Sequence, residues 1–83
     1  MKVRTAKDKK GVEIREGCTV KTKAFSEDRQ EYEYFKVIVD HNRPCIQRRD
    51  RWGHLHIYSV EYIRRWLKDD SMEVVMGGPR INR

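Results

Sequence analysis

The stretch that most restricts the fold of this chain is YEYFKVIVD, residues 32–40, where aromatic and β-branched side chains crowd one short run. Such side chains lose rotamer freedom in a helix and pack well on a pleated surface, so the run predicts a strand. Alternation then points Phe35, Val37 and Val39 to the core and turns Tyr34, Lys36 and Ile38 away from it. A strand of this kind needs partners, and the flanking sequence supplies them. Upstream, GVEIREGCTV alternates Val12 and Ile14 with Glu13 and Arg15, turns at Glu16-Gly17 and resumes with Val20 inward. Gly17 is suited to that turn because it takes a positive φ that a side chain resists.

FSEDRQE is a polar loop by composition, and DHNRP carries turn chemistry before CIQRR, a strand whose Pro44 must sit at its start or edge. DRWG links CIQRR to HLHIY, where Leu55 and Ile57 alternate with His54, His56 and Tyr58. Ser59 is placed to cap a short helix near residues 59–68, with Val60, Ile63 and Leu67 at helical spacing. Asp69 and Asp70 at its end oppose the helix dipole and keep it brief. SMEVVM reads as a closing strand.

These elements predict a mainly β, small barrel of five to six strands with one short helix, in one domain over residues 1–83. Residues 1–9 and 77–83 are expected to be flexible tails. The expected core is Val12, Ile14, Val20, Phe35, Val37, Val39, Ile46, Leu55, Ile57, Ile63 and Val74. A chain of 83 residues buries a smaller share of its surface than a larger domain, so that core must be economical.

The run DKKGVEIREGCTV, Asp8 to Val20, resembles the D-x-x-G-x-E-I-x-x-G-D-x-V opening of small SH3-like barrel proteins encoded by phages and other mobile elements. Cys18 stands where that pattern has Asp. The resemblance implies an SH3-like barrel, a mobile-element origin, and a class in which binding to nucleic acid or protein is commoner than chemistry.

Charge is the other constraint. The formal net charge is +6, and it comes in blocks. Residues 1–23 hold eight basic and three acidic side chains, residues 24–40 two and five, and residues 41–65 six and two, which favours an acidic partner. No apolar run reaches the length of a membrane span and no secretory leader is legible, so a cytoplasmic protein is expected.

The densest part of the third block is RRDRWGHLH, residues 48–56, read as the tip and flanks of a hairpin. Arginines neutralise phosphates and exposed rings stack on bases, which makes Lys36, Arg48, Arg49, Arg51, Trp52, His54 and His56 the candidate binding residues. Strand alternation places Gln47 and Arg49 on a face with His54 and His56. The expected partner is nucleic acid, DNA or RNA. An acidic protein surface is the alternative, since Trp, Tyr and Arg are also the anchors of protein interfaces.

No nucleophile, metalloprotease or nucleotide-binding signature is present, so neither catalysis nor a cofactor is expected. Cys18 and Cys45 are read as reduced thiols. They could join His41, His54 and His56 around zinc, but no closely spaced ligand pair starts such a site, and no metal is expected.

Overall fold

The computed structural model describes residues 5–76. In chain order it contains β1 (Ala6–Lys7), β2 (Glu13–Ile14), β3 (Thr19–Thr22), β4 (Glu33–Asp40), β5 (Arg43–Arg49), β6 (Leu55–Ser59), α1 (Val60–Arg65) and β7 (Glu73–Met76). A short 3-10 turn, Glu27–Arg29, lies in the β3–β4 loop. The chain is mainly β, as its sequence predicts. Five strands form one sheet in the order β6-β5-β4-β3-β7, and β1 pairs with β2 in a separate hairpin.

The run 32–40 yields β4, the strand that joins the sheet's two halves. Its first half pairs with β3, from Thr22↔Glu33 to Thr19↔Lys36, and its second half with β5, from Val37↔Ile46 to Asp40↔Arg43. The β4–β5 connection is the two-residue turn His41-Asn42. Both residues take positive φ, 54° and 63°, a geometry that matches the twist of the flanking strands and that Asn tolerates well. Gly17 takes its expected positive φ, 88°.

Among the described residues a closed barrel is not formed. The sheet ends in two edges, β6 and β7, because β6 runs directly into α1 and the helix covers the core's open side. Val60 and Ile63 of α1 join Ile14, Cys18, Val20, Ala24, Val37, Ile46 and Met72 in the buried cluster, with Phe25, Phe35, Tyr58, Leu67 and Val74 packed against it. The Ser59 hydroxyl accepts the Tyr62 amide at 3.0 Å, the cap its position predicts.

Four expected core residues are not in the core: Val39 is half-buried outside the cluster, and the other three are exposed. Leu55 is 48% exposed, Ile57 45% and Val12 47%. Val12 precedes β2 in the turn from Asp8, so strand alternation does not govern it. Leu55 and Ile57 are turned outward by the register of their hairpin. Residues 6–9, expected to be tail, form β1 and the start of its turn, and the tail read at 77–83 lies outside the described residues.

Asp8 explains why β1 is held. Its side chain is 6% exposed, and its carboxylate accepts the amides of Lys10 and Val12 at 2.8 Å each and that of Val74 at 2.9 Å. One acid thus closes its own turn and ties the hairpin to β7. Burial pushes the Asp8 carboxyl up, but the three amides and the nearby Lys10 charge outweigh it and hold the group below its usual value. At the far end of the chain Asp69 is treated alike: burial raises it, while the Ser71 hydroxyl and amide and the Arg29 guanidinium pull it down further.

Cys18 and Cys45 are both buried and free. Burial raises the Cys45 thiol, with the Asp40 carbonyl accepting from its sulfur at 3.8 Å. Both sulfurs are buried away from a reagent, so both thiols are expected to resist a thiol reagent in the native protein and to react fully in denaturant. Mass spectrometry of freshly isolated, non-reduced material checks this. A two-proton deficit would contradict it.

Among the described residues no helix is long and apolar enough to cross a membrane.

Candidate nucleic-acid interface

The RRDRWGHLH segment closes the β5–β6 hairpin through a turn built by Asp50. The Asp50 amide donates to the His54 carbonyl at 2.9 Å, and the Gly53 amide to the Asp50 carbonyl at 3.0 Å. One carboxylate oxygen accepts the amides of Trp52 and His54, each at 2.9 Å. Gly53 takes φ of 86°, which fits glycine at this point in the turn. The Arg49 guanidinium donates to the Gly53 carbonyl at 2.8 Å and clamps the loop from outside.

The same construction stands at the start of the chain. In Asp8-Lys9-Lys10-Gly11-Val12 the Asp8 amide bonds the Val12 carbonyl at 2.8 Å, the Gly11 amide bonds the Asp8 carbonyl at 3.0 Å, and Gly11 has φ of 84°. D-x-x-G is therefore a turn that this chain uses twice. The two copies differ in the second carboxylate oxygen. At Asp8 it holds Val74 of β7; at Asp50 it meets His56 Nε2 at 2.9 Å and lies 3.5 Å from His54 Nδ1. The His56 bond, with the amides of His54 and Trp52 behind it, keeps the Asp50 carboxyl below its usual range. The only acid of the hairpin tip is thus folded inward onto its own loop.

Register decides which arginines share a face. The pairs are Arg48↔His56, Gln47↔Ile57 and Arg49↔Leu55. The expected face of Gln47 and Arg49 with His54 and His56 does not exist: alternation puts Arg49 and Gln47 beside Leu55 and Ile57, on the outward side with Tyr34 and Lys36. Arg48 and His56 lie on the other side with Tyr58, where Arg48 sits over the Phe25 ring at 4.8 Å. Phe25 in turn packs on Tyr58 at 4.9 Å, and His56 stacks on Tyr58 at 6.1 Å between ring centres. Arg51 and Trp52 form the tip. Trp52 is 72% exposed, with the Arg51 guanidinium 5.2 Å from its ring centre.

The seven candidate residues therefore occupy three places: Arg48, His54 and His56 on the inward side, Arg49 and Lys36 on the outward side, and Arg51 with Trp52 between them at the tip. The hairpin carries all but Lys36.

A second basic cluster was not singled out from the sequence. Glu73 of β7 pairs with Lys9 at 3.0 Å and with Lys10 and Lys21 at 3.8 Å each, while Lys21 and Lys23 lie over the Tyr32 ring at 4.4 and 4.9 Å. The Lys9 hydrogen bond is the main cause of the lowered Glu73 carboxyl. The signal for this cluster was the basic block over residues 1–23, which strand pairing gathers about Glu73 at the sheet's opposite edge.

Among the described residues no group of three or more His, Cys, Asp or Glu side chains is placed to hold a metal ion. The chain matches no protein-family model, no curated protein and no solved structure.

Proposed function

We propose that this protein binds nucleic acid through the β5–β6 hairpin, taking a single-stranded or irregular segment across the tip. The observation that carries this reading is Trp52, which stands clear of the protein beside Arg51 instead of folding back on the core. An exposed indole flanked by guanidinium groups offers a stacking platform and phosphate contacts at once. The inward-folded Asp50 and the net charge of +6 support it, since attraction of a polyanion is a property of the whole surface. The resemblance of Asp8–Val20 to small mobile-element barrel proteins supports binding over catalysis.

The test is fluorescence anisotropy with short single- and double-stranded DNA and RNA at several salt concentrations. Arg49→Ala and Arg51→Ala should each weaken binding with little sequence dependence and flatten the slope of log K against log salt by about 0.7 to 0.9. Trp52→Ala should cost about 1–3 kcal/mol, and the loss should persist at high salt because stacking is not screened. Absence of binding at low salt, or a triple Arg48, Arg49 and Arg51 alanine variant that binds like the parent, would sink the reading.

A further inference from the structure

The β6 edge is the feature that the nucleic-acid reading leaves unused. In an antiparallel ladder the residues that exchange hydrogen bonds alternate with those that do not. The Asp50 amide bonds the His54 carbonyl, so by the register Arg48 and His56, and Ile46 and Tyr58, are the bonded pairs. Leu55 and Ile57 therefore point their amide and carbonyl groups away from β5. Among the described residues β6 is the last strand of the sheet on that side. It contains no lysine, no proline and no bulge, the devices by which edges are ordinarily protected.

The edge has two unlike sides. Outward stand Leu55 and Ile57, both about half exposed; inward stand His56 and, on the neighbouring strand, Arg48. The surrounding charge is positive. Arg48, Arg49 and Arg51 lie toward the tip, with Asp50 held inside its turn, and Arg43 and Arg65 flank Glu61 at 3.7 Å each at the other end.

We propose that β6 accepts an extended segment of a partner protein as a sixth strand, and that the segment alternates apolar and acidic residues. Its apolar side chains lie against Leu55 and Ile57, its carboxylates face Arg48 and His56, and its backbone bonds the free groups of Leu55 and Ile57. A second copy of this chain suits the edge less well, because pairing would bring two bodies of charge +6 together. The chain's own residues 77–83 carry Arg80 and Arg83 and no acid, which is the wrong charge for the same place.

The experiment uses the intact protein and a blocked peptide of about eight residues, a common strand length, with valine alternating with glutamate. Two further peptides are N-methylated, one at every valine and one at every glutamate. Both keep all side chains and charges, and each removes the backbone donors of one side. In antiparallel addition the valines sit opposite Leu55 and Ile57 and supply the bonded amides, so the valine-methylated peptide should bind at least about tenfold more weakly than the other. Loss confined to the glutamate-methylated peptide would mark the parallel form of the same docking. Affinity equal to that of the unmethylated peptide for both would show attraction by charge alone, and equal loss from both would show a backbone effect without a one-sided ladder; either result would overturn the proposal. Ile57→Pro, which removes an outward amide without touching the β5 ladder, should abolish peptide binding and leave single-stranded DNA binding as it was. Dimers in sedimentation that Ile57→Pro dissolves, with the peptide unbound, would give the edge to a second copy and overturn it as well.

Discussion

Asp8→Ala is expected to lower the free energy of unfolding by about 2–4 kcal/mol, because three backbone amides lose a charged acceptor in a buried place. A chain of this length has only about 4–12 kcal/mol in total, so the loss is a large share of it. Asp8→Asn keeps one acceptor oxygen and should fall between the two. The equivalent change at the twin turn, Asp50→Ala, should shift the urea midpoint much less. That loop stands at an exposed tip where water can replace the carboxylate, while Asp8 is buried. Equal shifts at the two sites would show that the link to Val74 contributes nothing.

The contribution of Asp8 also has a definite pH dependence. Its folded-state carboxyl lies below the ordinary value of 3.8, so its stabilisation is fully present above that value and is lost as pH falls through the lower, folded one. The gap between the parent and Asp8→Asn in urea unfolding should therefore be constant near neutrality and shrink below about pH 4. Asp69, depressed by its Ser71 and Arg29 contacts, acts in the same direction and adds to the acid sensitivity of the parent.

The second large effect separates two isoleucines that the sequence alone treats alike. Ile46→Ala, at a side chain with no exposed surface, should cost about 2–5 kcal/mol through lost burial and the cavity left behind. Ile57→Ala should cost less than about 1 kcal/mol, the span expected of an exposed strand position. Urea unfolding of both variants measures the difference. Should Ile57→Ala prove as damaging as Ile46→Ala, the outward placement of Leu55 and Ile57 is wrong, and with it the docking edge.

The candidate site was legible as a segment and illegible as a surface. RRDRWGHLH announces its chemistry in one line of sequence, and it does form the tip and flanks of a hairpin. The partners that surround it come from elsewhere. Phe25, from a loop that reads as merely polar, lies beneath Arg48 and against Tyr58. The exposure of Trp52 depends on the whole turn, not on its neighbours in the chain.

What the sequence by itself determined is local. Runs of β-branched and aromatic residues set the strands, His41-Asn42 and Gly17 set tight turns, and Ser59 set the start of the helix, because each acts through the backbone preferences of a few adjacent residues. Two further turns were written just as locally, in D-x-x-G at Asp8 and Asp50. Only the tertiary structure decided which face of β6 is buried. Alternation states that Leu55 and Ile57 share one side and His56 and Tyr58 the other, but it does not say which side meets the core. That choice belongs to the register with β5, where Ile46 faces Tyr58 and commits its side of the hairpin to the interior. The tie between Asp8 and Val74 was hidden for the same reason: a hydrogen bond between residues that far apart in the chain exists only once the sheet has brought β7 alongside β3.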